Sequence, residues 1–294
     1  MSQFHTFEDL LAYCTTHGCS VAQAALQEEA AETGKSTETI LAQMETVVAQ
    51  MERTIQSGIG SDAPSLSGLS GGDAQRLMGY LGNTKNVLSP LSIRLLAYGV
   101  ATLEENARMK TIVACPTAGG SGSVPAVLIA LEHEHGLERT QTVQGLLAAG
   151  LVGEIVAKRM RLSGAAAGCQ AEVGVASGMA AAGMVQALDG TPLQAITAAA
   201  ISMQNLMGLV CDPVAGLVEV PCVLRNGLSA VQAVGAATMA MANIISFVPA
   251  DEVVDAMAQV GKLMPSQLKE TAEGGLAMTP TAQAFTDKLY PKAP

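Results

Sequence analysis

The chain has 294 residues, a net charge of −10, 49% hydrophobic residues and only 3% aromatics. That length allows one large domain or two modest ones with a substantial core, and with no Trp and 30 Gly the core has to be built from Ala, Leu, Val and Met. The acidic balance repels a phosphate backbone and no Lys/Arg cluster with interleaved aromatics offsets it, so nucleic acid is not an expected partner.

The opening MSQFHTFEDL lacks the basic start and apolar run of a secretory signal, which makes the cytoplasm the expected compartment. In that reducing environment six cysteines read as buried small residues, metal ligands or redox groups, not as a disulfide framework. Apolar periodicity is helical nearly throughout: Phe7, Leu10, Leu11 and Cys14 share one face, and Ile40, Met44, Val47, Val48, Met51 and Ile55 form another stripe. Between them Gly34 is expected to end one helix and Ser36 or Thr37 to cap the next. The fold class predicted is all-α, with residues 1–60 a helical lead-in and 61–294 an all-helical main domain, the two able to pack as one compact unit. The Gly/Ser/Asp/Pro-rich stretch from Ser57 to Gly72 marks the boundary.

Further helices are predicted over about 73–80, 89–108, 124–135, 140–160, 169–188, 191–203, 227–247 and 250–263. Two loops rich in Gly, Pro and Cys interrupt them, Thr111 to Ser123 and Gln204 to Asn226. No charge occurs between Arg225 and Asp251, a stretch long enough to cross a bilayer. It is weakly apolar, carries Gly227, Ser229, Gln232, Gly235, Thr238, Asn243 and Ser246, and has no aromatic belt or basic flank. A buried helix is therefore expected there and from Gly190 to Val210, and no membrane partner.

Cys169, Cys211 and Cys222 follow the spacing C-x41-C-x10-C, each near Gly or Pro, residues that let backbone approach and turn around a bulky inorganic group. Structural zinc sites show tight CxxC or HxxxH pairs, which are absent here. Spacing alone leaves open the alternative that these are well-buried small hydrophobes in a helical scaffold or membrane protein. The loop Cys115-Pro116-Thr117-Ala118-Gly119-Gly120-Ser121-Gly122-Ser123 precedes a helix predicted to be capped by Ser123, with Pro125 in its first turn. Its backbone N–H groups suit an anion, but no Gly-Lys-Ser/Thr follows, which rules out a phosphate loop; a flexible turn remains the alternative.

The words around these residues are more specific. GLSGGDAQ at Gly68–Gln75, EENARMKTIVACPTAGGSGSVPAVL at Glu104–Leu128, GCQAEVGVASGMAAAG at Gly168–Gly183 and NLMGLVCDPVAGLVEVPCVLRN at Asn205–Asn226 stand in family order. Together they resemble the alpha subunit of the iron-sulfur-dependent L-serine dehydratases. The resemblance implies that Cys169, Cys211 and Cys222 ligate one 4Fe-4S cluster with one open iron. It also implies that the chain is a lyase converting L-serine to pyruvate and ammonia without pyridoxal phosphate, and that Thr117, Gly119, Gly120 and Ser121 contact the substrate.

Arg225 is expected either to bind the serine carboxylate or to pair with Asp212 and brace the cluster loop. Lys110, Asn205, Asp212 and Asn226, with Asp73, Asn106 and Glu219, are polar residues in apolar company and are expected to support the site. None of the four histidines lies in these words, so the general base is expected from a second chain. The resemblance supplies one: many members split into an alpha subunit and a beta subunit carrying a regulatory-type domain and a Ser-Ser-His motif, giving a heterodimer or higher assembly. No Cys follows Cys222, so a cysteine tail that plugs the open iron is not expected. Cys14 and Cys19 read as core packing, Cys115 is not counted as a ligand, and His133 and His135 read as a solvated helix end.

Overall fold

The first helices start and stop where side chains can satisfy orphaned backbone groups. In the computed structural model, which describes residues 3–291, α1 (Phe7–His17) begins at Thr6. The Thr6 hydroxyl accepts from the Asp9 N–H while the Asp9 carboxylate accepts from the Thr6 N–H. Ser20 and Gln23 repeat this arrangement at α2 (Val21–Thr33), and Ser36 caps α3 (Thr37–Ile59). Gly18 and Gly34 end α1 and α2 in the left-handed conformation that glycine adopts without strain.

After the Gly/Ser-rich stretch come α4 (Asp73–Tyr80) and α5 (Pro90–Ala107), then α6 (Ser123–His135), α7 (Arg139–Arg159) and a single turn, α8 (Gly164–Ala167). A π-helical turn, Gln170–Gly174, leads into α9 (Val175–Ala187), followed by α10 (Pro192–Asn205), α11 (Cys222–Met241), α12 (Ala250–Leu263) and α13 (Pro280–Leu289). Among the described residues the fold is all-α, and the one β-like pairing is a parallel bridge between Cys211 and Lys269.

Helix α9 is buried at every position, which its sequence VASGMAAAGMVQA permits because it has no polar stripe to show to water. Helices α6, α7, α10 and α11 pack around it. Its small residues bring backbones together: a Cβ on Gly183 would lie 2.8 Å from the Gly145 carbonyl oxygen, and one on Gly145 would lie 2.7 Å from that of Gly183. The same device joins α5 to α11, where a Cβ on Gly99 would meet the Asn226 carbonyl at 2.7 Å. Helix α2 packs on α7 and α3 on α5, so Phe7, Leu10, Val48 and Ile55 share one core with α6, α7 and α9.

Three sequence expectations need correction. The uncharged stretch after Arg225 is not a buried helix to residue 247: α11 stops at Met241, and Ile244, Ile245, Phe247 and Val248 lie exposed in the following loop. Asn243 ends it, in left-handed conformation, with its N–H bonded to Ala240 O and the Ile244 N–H to Met239 O, the double closure of a Schellman turn. Ser123 does not cap α6: Gly122 takes that place, and the Ser123 hydroxyl pairs with Ser229 at 2.6 Å inside the core. The helix predicted from residue 169 begins as a π turn. No helix among the described residues is long and apolar enough to cross a membrane.

Because the α7–α9 crossing has no room for a methyl group against a backbone oxygen, Gly183→Ala is expected to destabilise the fold by about 1–3 kcal/mol. A lowered urea midpoint at unchanged slope checks this.

Candidate metal centre

Three loops converge at the site, each fixed by backbone bonds. The Cys169 loop turns at Gly168 (φ 78°), where a Cβ would strike the Met264 sulfur at 2.7 Å and the Leu209 carbonyl at 2.9 Å. Gln170 then ties it down: its N–H donates to Leu209 O, its side-chain oxygen accepts from the Gly208 N–H, and its side-chain amide donates to Met257 O. Cys211 is held by the C-terminal segment, its N–H donating to Leu268 O at 2.9 Å and its carbonyl accepting from the Glu270 N–H at 2.8 Å. Cys222 opens α11.

The three cysteines are buried and neighbour one another, with the Cys211 and Cys222 side chains beside Cys169. Those neighbouring thiols, with the Arg225 guanidinium, hold Cys169 far below the ordinary thiol range, whereas the nearby Cys169 sulfur and burial push Cys211 and Cys222 well above it. Cys169 Sγ, Cys211 Sγ and a Glu172 carboxylate oxygen lie within 4.8 Å of one another, a set that could hold a metal ion. Glu172 was not singled out from the sequence, although a carboxylate three residues after Cys169 returns to the same side of a helical turn. Burial raises its carboxyl to about 7, with the Thr117 hydroxyl opposing that shift from 2.7 Å and Cys169 and Glu270 adding to it.

The glycine-rich loop lies against this acid. A Cβ on Gly119 would sit 2.9 Å from Glu172 Oε2, and one on Gly120 would sit 2.7 Å from the Glu172 carbonyl oxygen. The Ser121 hydroxyl and N–H both close onto Ala118 O, so its side chain shapes the turn. Asn226, fully buried, links loop to helix: its side-chain oxygen accepts from the Gly122 N–H at 2.9 Å, and its amide donates to Gly119 O at 2.7 Å and to Cys222 O at 2.9 Å. Arg225 takes the bracing arrangement, donating to Val210 O at 2.9 Å and to Asp212 at 3.0 Å. Asp212 also accepts from the Leu276 N–H at 2.8 Å, which fastens the C-terminal segment a second time.

Glu219 secures the GLSGG stretch, accepting from the Ser67 and Ser70 hydroxyls. Asp73 receives its fixing contact at the main chain, its N–H donating to the Glu104 carboxylate. Lys110 and Asn205 are exposed, and neither side chain makes a hydrogen bond or ion pair among the described residues. Cys115 and Cys14 are buried apart from the three-sulfur site, and burial pushes both thiols to about 12. His133 is exposed but not merely solvated, since its Nδ1 pairs with the Tyr98 hydroxyl at 2.7 Å.

The thiols and the carboxylate gathered here in an all-helical frame could hold a metal ion. Comparison with known proteins makes the assignment specific: residues 16–277 match the family described as serine dehydratase alpha chain. The chain is 44% identical over 287 residues to the probable L-serine dehydratase, alpha chain, of Bacillus subtilis (strain 168), covering 98% of this chain and 95% of that one. It is 37% identical to the L-serine dehydratase, alpha chain, of Peptoniphilus asaccharolyticus, covering 95% and 96%. The L-serine dehydratase of Haemophilus influenzae is 36% identical over 92% of this chain, which spans only 60% of that longer relative. This chain belongs to the serine dehydratase alpha chain family.

Removing the Asn226 side chain strands the Gly122 N–H and the Gly119 carbonyl in a dry interior. Asn226→Ala is therefore expected to cost about 1–3 kcal/mol per stranded group, read as a drop in thermal midpoint.

Proposed function

We propose that this chain is the catalytic alpha subunit of an L-serine dehydratase and, with a beta subunit, eliminates water from L-serine to give pyruvate and ammonia. The observation that carries this reading is the meeting of Cys169, Cys211 and Cys222 in one buried site, in a chain whose relatives bear that name. The donor set fits an iron-sulfur cluster: all six cysteines are free, three sulfurs meet, and Gly164 and Gly168 offer no side chain where the loops close. Cys169, Cys211 and Cys222 would hold a single 4Fe-4S cluster, which with three thiolates for four irons supplies an open iron as Lewis acid for the serine hydroxyl. A reducing compartment, the cytoplasm, suits the free thiols.

The chain's own residues then have distinct tasks. Thr117, Gly119 and Gly120 line the substrate, presenting a hydroxyl and backbone where no side chain intrudes, and Ser121 sets the shape of their turn. Arg225, bound to Val210 and Asp212, keeps the Cys211 loop in place instead of reaching for the serine carboxylate. Asp212 and Asn226 brace the cysteine loops, while exposed Lys110 and Asn205 face outward, where a partner subunit can meet them. Glu172 is placed to give a proton to the departing hydroxyl, and the α-proton goes to a base on the beta subunit. The aminoacrylate left behind takes up water and yields pyruvate and ammonia. The greater length of the Haemophilus relative supports a second component, because this chain corresponds to only part of it.

Co-purification with the beta subunit under argon is expected to give iron, sulfide and serine-dependent pyruvate. Cys211→Ala and Cys222→Ala are each expected to lose iron and turnover together, and full turnover in either variant would remove that residue as a ligand. Glu172→Gln is expected to keep its iron and lose about 100-fold in kcat; an unchanged kcat assigns the proton to another group.

A further inference from the structure

Three cysteines leave a four-iron centre one protein donor short, and the chain places no fourth sulfur beside them. No Cys follows Cys222, Cys14 neighbours Cys19 instead, and burial alone acts on the Cys115 thiol. What stands beside the sulfurs is an oxygen. A Glu172 carboxylate oxygen, Cys169 Sγ and Cys211 Sγ lie within 4.8 Å of one another, and Glu270, the other acid nearby, does not belong to that set.

The carboxylate is fixed in that place from several sides. Glu172 lies in the π turn Gln170–Gly174, an uncommon backbone form that recurs at functional sites, and Gln170 ties the turn to Gly208, Leu209 and Met257. The Thr117 hydroxyl donates to Oε1 at 2.7 Å. Gly119 and Gly164 leave room for the other oxygen, since a Cβ on them would come within 2.9 Å and 2.8 Å of Oε2. The guanidinium nearby, Arg225, is engaged by Val210 and Asp212, and Glu172 makes no ion pair among the described residues. A carboxylate anchored beside sulfurs in this way is placed as a metal ligand is placed.

We propose that Glu172 is the fourth protein donor of the metal centre, its carboxylate closing the open iron at rest and giving way to the serine hydroxyl. This inference rests on the serine dehydratase reading and deepens it. Thiolates are the preferred ligands of iron-sulfur centres, and a carboxylate oxygen is the weaker donor, so a substrate oxygen can take its place where a fourth cysteine would hold on. The exchange swaps one oxygen for another: the bond from Glu172 to iron breaks, the bond from the serine hydroxyl forms, and no electron is transferred. The displaced carboxylate takes a proton from solvent and then serves as the acid for the departing hydroxyl.

The first test titrates the metal-free full chain with cobalt(II) under argon and follows thiolate-to-metal absorption. Glu172→Gln, the same size without the charge, is expected to weaken cobalt binding about tenfold or more while keeping the thiolate bands, which show that the sulfurs still come together. Glu270→Gln is expected to bind cobalt as the wild type does. The second test exposes the alpha–beta complex, loaded with its iron-sulfur centre, to air without serine and follows the three-iron product by electron paramagnetic resonance. Glu172→Gln is expected to lose its fourth iron several-fold faster than wild type. In the same variant the serine KM is expected to fall, because no resident carboxylate competes, whereas loss of an acid alone lowers kcat and leaves KM in place. Unchanged cobalt affinity, equal weakening in the two variants, an unchanged rate of iron loss or a KM that does not fall overturns the assignment. Iron, sulfide and pyruvate formation in the wild-type complex judge the serine dehydratase reading separately, because they depend on neither substitution.

Discussion

Thiols and carboxylates crowded into a mostly buried site are the constraint around which this molecule is organised. Burial raises the Glu172 carboxyl, the neighbouring Cys169 sulfur raises the Cys211 and Cys222 thiols, and the Arg225 guanidinium beside them helps to hold Cys169 down. That guanidinium is itself locked by Val210 and Asp212, so its charge stays beside the sulfurs. Backbone bonds hold these loops from behind, at Gln170, Cys211 and Leu276, so the side chains that could hold a metal ion stay together.

The helical frame serves that rigidity through small residues. Where Gly99 meets Asn226 and Gly122 meets Gly99, main chain touches main chain, so the glycine-rich loop has little freedom to drift relative to α11. A core of larger side chains would hold helices farther apart and leave the polar turns over-long. The buried serines extend the same connection inward: Ser123 pairs with Ser229, Ser177 donates to Ser229 O, and Ser202 donates to Ser177, linking α6, α9, α10 and α11 by hydrogen bonds.

Much of this was legible in the sequence, because helical periodicity and capping residues are local signals. Ser36, Gly34 and the cysteine words are examples, and α4 to α7 lie within a residue or so of their expected bounds. What was not legible is non-local or depends on one backbone angle. Asn243 reads as an ordinary polar residue until it closes a helix from the left-handed region. Glu172 was hidden in a motif valued for its cysteine. Glu270 is 59 residues beyond Cys211 in the chain (270 − 211), and only the Cys211–Lys269 bridge places it at the site. Sequence also left Arg225 between two roles, and in the structure its guanidinium pairs with Asp212.

The pairing of residues 268–276 with Cys211 and Asp212 sets an order of events in the life of the molecule. Ribosomes deliver the three cysteines first, and the strip that locks their middle member comes out some sixty residues later. A nascent polypeptide therefore carries its thiols on unclosed loops until the tail has emerged and docked.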